Sequence, residues 1–161
     1  MLDTLAQALQ AAPWARELAG SIWVYPLVNT AHIVGIALLF GAIVPLDLRL
    51  LGCWRSVALQ PLRRVLLPMA MGGFALAASS GALLFATRAT EYLAQPLFVA
   101  KLGLILAALM NAAWLRATPG RRDDNGARAN VGTPIRWKAA GLLSMTLWLA
   151  VITAGRLIGY R

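Results

Sequence analysis

The sequence predicts an all-α fold: a four-helix up-down bundle integral to a membrane, led by a short amphipathic helix. Three observations carry this. First, 60% of the residues are hydrophobic and only 13% are charged, against about 45–50% and about 25% in soluble domains. Second, the mean hydropathy is +0.68, and four apolar stretches recur, each near the roughly 20 residues that a helix needs to cross about 30 Å of hydrocarbon. Third, the charges are gathered between those stretches rather than spread along them. A chain of 161 residues suits one domain of about four spans, residues 1–161.

The elements follow in order. Residues 1–20 are expected to form an amphipathic interfacial segment or a simple lead-in to the first span: Leu2, Leu5 and Leu9 recur at helical spacing, and Pro13 breaks the run. An Asp near its front and the lack of a basic start argue against a signal peptide. The first span covers about 23–44, anchored at headgroup level by Trp23 and Tyr25. Pro26 sits in the first turn, where a missing N–H costs little, and Pro45 is expected to end or kink the helix. Asp47 and Arg49 mark a charged boundary. A short surface helix is expected between Arg49 and Arg64, with Leu50, Trp54 and Leu59 in the interface. The second span, about 65–85, carries Gly72, Gly73, Ser79, Ser80 and Gly81, small residues that let membrane helices approach closely. The third span covers about 97–115, with Lys101 one turn inside and Asn111 deep within it. The loop 116–138 is rich in Gly, Asn, Asp and Arg and has no apolar period, so a mobile segment is expected. The fourth span covers about 139–157 and ends at Arg156.

Net charge is +9. The basic residues flank apolar spans, which points to topology and anionic lipid rather than nucleic acid. Of the 15 Lys and Arg, ten lie in the loops after the first and third spans: Arg49, Arg55, Arg63, Arg64, Arg116, Arg121, Arg122, Arg128, Arg136 and Lys138. The positive-inside rule puts those loops in the cytoplasm and both termini in the periplasm of a bacterial inner membrane. No phosphate-binding loop, zinc-protease motif, nucleophile elbow or cysteine cluster occurs, and paired carboxylates are lacking. The balance falls against an enzyme. The single Cys53 permits no intrachain disulfide.

The polar residues inside the spans are the candidate site. At about 100° per residue Tyr25, Asn29 and His32 share a stripe of the first span. His32, the sole histidine, lies about 14 Å beyond Trp23 along the helix, near the midplane. On this topology Lys101 and Arg156 reach the same outward half, so the five residues outline an outward polar pocket. Three roles stand open for His32: a hydrogen bond to Asn or Ser on another span, haem or copper ligation, or proton relay. Lys101 and Arg156 also suit snorkelling to headgroups. Asp47 and Arg49 are expected to pair with each other or with loop partners, and Asn111 to bond another helix.

Tyr25-Pro26, His32-x-x-Gly35 and Asp47-Leu48-Arg49-Leu50-Leu51-Gly52 together form a pattern. It resembles that of an uncharacterised bacterial inner-membrane family, a domain of unknown function. Gly73-Phe74, Lys101, Asn111 and the run from Leu147-Trp148 to Gly155-Arg156 also fit, so the likeness covers nearly the whole chain. Members are more distantly similar to membrane proteins of the copper-resistance D type and to small haem-binding four-helix bundles. The first functional expectation, resting on His32 in an apolar helix beside Tyr25 and Asn29, is a membrane redox or metal-handling component holding haem b or copper through His32. The chain departs from the pattern at Asn29, where relatives often carry an acid, and near Arg116, where they often carry a second histidine. One histidine cannot give two axial imidazoles in one chain, but a symmetric homodimer supplies two. Met69, Met71, Met110 and Met145 are soft donors suited to Cu(I) or to core packing. The competing expectation is a non-enzymatic subunit of a larger membrane complex, or a small transporter, with membrane lipid as the surrounding partner. A lipid-interacting scaffold built on the basic loops is the third.

Overall fold

In a computed structural model, residues 2–118 and 134–160 are described. Most of the loop expected to be mobile lies outside them. The described chain is all-α: α1 (Leu2–Ala11), α2 (Pro13–Gly20), α3 (Val24–Leu51), α4 (Leu59–Thr87), α5 (Ala89–Ala94), α6 (Pro96–Ala117) and α7 (Ile135–Ile158). α3, α4, α6 and α7 are long and apolar enough to cross a membrane, with mean hydropathies of 2.1, 1.6, 1.8 and 1.6 over their most apolar windows. Their faces are crowded with exposed apolar side chains, among them Leu27, Val65, Leu106 and Leu142. Water would penalise such surfaces, and lipid does not.

Two expectations near the end of the first span need correction. Pro45 neither ends α3 nor opens a gap in it: the helix continues to Leu51. The carbonyl that loses its partner belongs to Gly41. Nor does a surface helix fill the Arg49–Arg64 stretch. α3 ends in a Schellman motif: Cys53 N–H bonds the Leu48 carbonyl at 3.0 Å and Gly52 N–H bonds the Arg49 carbonyl at 3.2 Å. Gly52 has φ +107°, a conformation that costs glycine little. A turn then leads into α4 at Leu59. The connector expected after the second span contains the short helix α5. Residues 1–20 contain two helices, α1 and α2, rather than one, separated at Pro13 as expected.

The chain groups into two compact units, Met1–Gly41 with Pro68–Val99, and Ala42–Leu67 with Ala100–Arg161. In the first, α3 meets α4 backbone to backbone. A Cβ placed on Gly35 would lie 2.5 Å from Ala77 N, and one on Gly73 would lie 2.5 Å from Leu39 N. Gly73, Ala77 and Gly81 recur every four residues, giving α4 one smooth stripe against α3. Gly72 faces open space and Ser79 is exposed, so only part of the small-residue run serves packing. α1 lies against α5 and α2, and Phe85, Tyr92 and Phe98 form an aromatic cluster with centroids 5.3–6.2 Å apart.

In the second unit α7 is the common neighbour. Gly141 receives the backbone of Asp47 and the side chain of Leu50, with 3.1 Å and 3.3 Å available to a Cβ there. Asn111 of α6 donates from Nδ2 to the Ala140 carbonyl at 3.0 Å, the interhelical bond expected of it. Leu50, Trp137, Trp148 and Val151 are buried in this unit.

Candidate functional site

The first unit holds Tyr25, Asn29 and His32. His32 Nδ1 lies 2.8 Å from the Ala77 carbonyl oxygen and 3.3 Å from Ser80 Oγ. A carbonyl only accepts, so Nδ1 carries a proton. Ser80 spends its own proton on the Leu76 carbonyl, which leaves its oxygen as an acceptor toward the imidazole. The ring lies against Gly81, where a Cβ would sit 2.9 Å from Cε1. Glycine at that position makes the room. The histidine thus joins α3 to α4 through a serine and a carbonyl, the hydrogen-bonded alternative among the three roles open to it. Tyr25 is half-buried and lies near Tyr92 of α5. Asn29 is exposed.

Lys101 and Arg156 belong to the second unit. The Lys101 ammonium lies over Gly155 of α7, 3.1 Å from where a Cβ would stand. Its aliphatic stem can therefore run along α7, and any larger residue at 155 would displace it. Arg156 points along its own helix: Nη2 donates to Tyr160 Oη at 2.7 Å, and the guanidinium sits 4.7 Å from the Tyr160 ring centroid.

Asp47 and Arg49 do not pair with each other. Two residues apart on a helix, they face away from one another. Arg49 takes the loop: Nε donates to the Val57 carbonyl at 2.7 Å and Nη2 to that of Arg55 at 3.4 Å. Asp47 turns inward onto α7 and is only 5% exposed. Ser144, one turn along from Gly141, is its hydrogen-bonding neighbour. Oδ2 is buried without a hydrogen-bond partner among the described residues. Ser144 escaped the sequence reading, and the only available signal was its position three residues after a glycine of the same span.

The donor set bears on haem and copper. His32 supplies one imidazole, and its bond to the Ala77 carbonyl is the kind that orients a metal-ligating ring. The described residues contain no group of three or more His, Cys, Asp and Glu arranged for a metal. Met69, Met71 and Met110 are 40%, 56% and 58% exposed on the outer faces of α4 and α6. One chain supplies a single imidazole, so a bis-imidazole haem would need its second ligand from another chain, such as a second copy. Comparisons with protein-family models, with curated proteins and with solved structures find no match for this chain.

Proposed function

We propose that the protein is a non-enzymatic, multi-pass component of a bacterial inner membrane, a small transporter or a subunit of a larger membrane complex, with both termini periplasmic. Asp47 carries the reading. It is a buried side chain in a span-length apolar helix, with one carboxylate oxygen left without a partner among the described residues. A carboxylate in low dielectric is expensive, and spans retain such groups where ions or protons pass. Lys101, laid on Gly155, is a second ionisable group inside a span-length helix. The ten-to-five division of basic residues supports the orientation, and the resemblance of the first span supports the inner membrane. The test is flux into proteoliposomes loaded with a pH-sensitive dye under an imposed potential. Wild type should pass protons, and Asp47→Asn should pass far fewer while keeping its fold by circular dichroism. Equal flux from both would remove Asp47 from the function.

A second reading makes the chain a redox or metal-handling component with haem b or copper on His32 of a homodimer. The Nδ1 bond to the Ala77 carbonyl favours it, because a hydrogen bond of that kind orients a metal-ligating imidazole. An absorption spectrum and metal analysis after expression with haem and copper supplied separate the two. A Soret band or bound copper lost in His32→Ala would establish the second reading over the first.

A further inference from the structure

Where α4 ends, the first unit holds a cleft that none of the roles above uses. Its volume is about 510 Å³, and its lining includes Gln7, Gln10, Arg16, Thr87 and Thr90. That is within the range of small-molecule sites. Gln10 is fixed in orientation, because its Oε1 accepts from both Thr90 Oγ1 at 2.7 Å and Thr90 N at 3.3 Å. An amide whose oxygen is so occupied offers Nε2–H₂ as a donor. Thr87 Oγ1 donates to the Leu84 carbonyl at 2.7 Å and keeps only acceptor capacity. Arg16 adds a guanidinium and is the only charged residue in the lining. Among the described side chains no acid lines the cleft: Glu91 pairs with Arg88 at 3.6 Å, and Glu17 is outside the lining. One permanent cation beside glutamine amides makes a donor-rich site for an oxyanion. Its level narrows the choice. Thr87 is the last residue of a span-length helix, and the end of a span is where lipid phosphates lie.

We propose that this cleft binds a phosphate group, Arg16 pairing with its charge and Gln7 and Gln10 donating to its oxygens. A phospholipid headgroup and free phosphate share that chemistry. The experiment uses the full chain purified in detergent, with native mass spectrometry reading retained phosphatidylglycerol, diacylglycerol of the same acyl chains, or inorganic phosphate. Retention of phosphatidylglycerol without diacylglycerol assigns the headgroup, whereas retention of inorganic phosphate alone assigns the free anion. In either case Arg16→Gln should weaken retention about tenfold, the scale of one charge-assisted contact. Gln10→Glu, which preserves the Thr90 bonds but adds a negative charge, should weaken it further. Arg136→Gln removes an equal charge from an exposed site at the start of α7, outside the cleft lining, and should weaken retention far less than Arg16→Gln. The proposal is overturned if neither phosphate source is retained, or if diacylglycerol is held as well as phosphatidylglycerol. It is also overturned if Arg16→Gln matches wild type or does no more than Arg136→Gln.

Discussion

His32 is held by hydrogen bonds that the bilayer makes necessary. An imidazole in hydrocarbon must place its N–H on an acceptor, and the Ala77 carbonyl with Ser80 Oγ provides one. Interhelical hydrogen bonds of this kind average about 0.6 kcal/mol and reach about 1.7 kcal/mol in membranes. His32→Ala should therefore lower detergent-phase stability by roughly 1 kcal/mol, measured by thermal unfolding, while His32→Gln, which keeps a donor, should lose less. Tyr92 makes a residue-scale prediction outside the spans. Burial is the main influence holding its phenol above the ordinary value of 10.0; nearby Tyr25 and Glu91 add to this, and Arg88 opposes it. The folded state thus keeps the proton longer than the unfolded chain. The resulting stability is complete below the unfolded pKa and is lost as pH rises from there through the folded pKa. Tyrosinate absorbance should show one late-titrating phenol, and Tyr92→Phe should remove it.

The helices are matched by where glycine is required and where it is not. Gly35 and Gly73 let α3 and α4 touch, whereas Gly41 and Gly72 have open space beyond their Cα atoms. Gly35→Ala forces a methyl onto the Ala77 backbone and should destabilise by about 1–3 kcal/mol. Gly41→Ala meets nothing and should be neutral, or stabilising by up to about 1 kcal/mol from helix propensity. Thermal unfolding of the two variants side by side checks the pair. Should Gly35→Ala prove as harmless as Gly41→Ala, the close crossing of α3 and α4 is wrong. The end of α3 shows the same logic: Gly52 closes the Schellman turn and Arg49 holds the following loop through the Val57 carbonyl. Replacing Arg49 by Ala should loosen this turn, seen as faster amide exchange at Val57 and its neighbours, with the spans unaffected.

For the whole molecule, the expected outcome concerns orientation. Alkaline phosphatase, active only in the periplasm, should be active when fused after Arg161 and inactive when fused within 49–64 or 116–138. The ten basic residues of those two stretches and the positive-inside rule set this expectation. Activity from a cytoplasm-only reporter after Arg161 would reverse it.

Composition and periodicity alone determined the all-α class and the four span-length helices found among the described residues. Those properties depend on how much apolar length a segment has, which is additive along the chain. They also determined the break at Pro13 and the interhelical role of Asn111. Several outcomes depended on which residue met which, and no local pattern encodes that. Pro45 stayed helical, so the first span did not end there. Arg49 joined a loop, and Asp47 turned from the expected boundary onto Gly141 and Ser144. Likewise Gly73 and Gly72 are adjacent and chemically identical, yet only Gly73 meets α3. Their difference is the helix face each occupies once a partner is present, and tertiary packing chose that face because two backbones can approach only where both helices lack side chains.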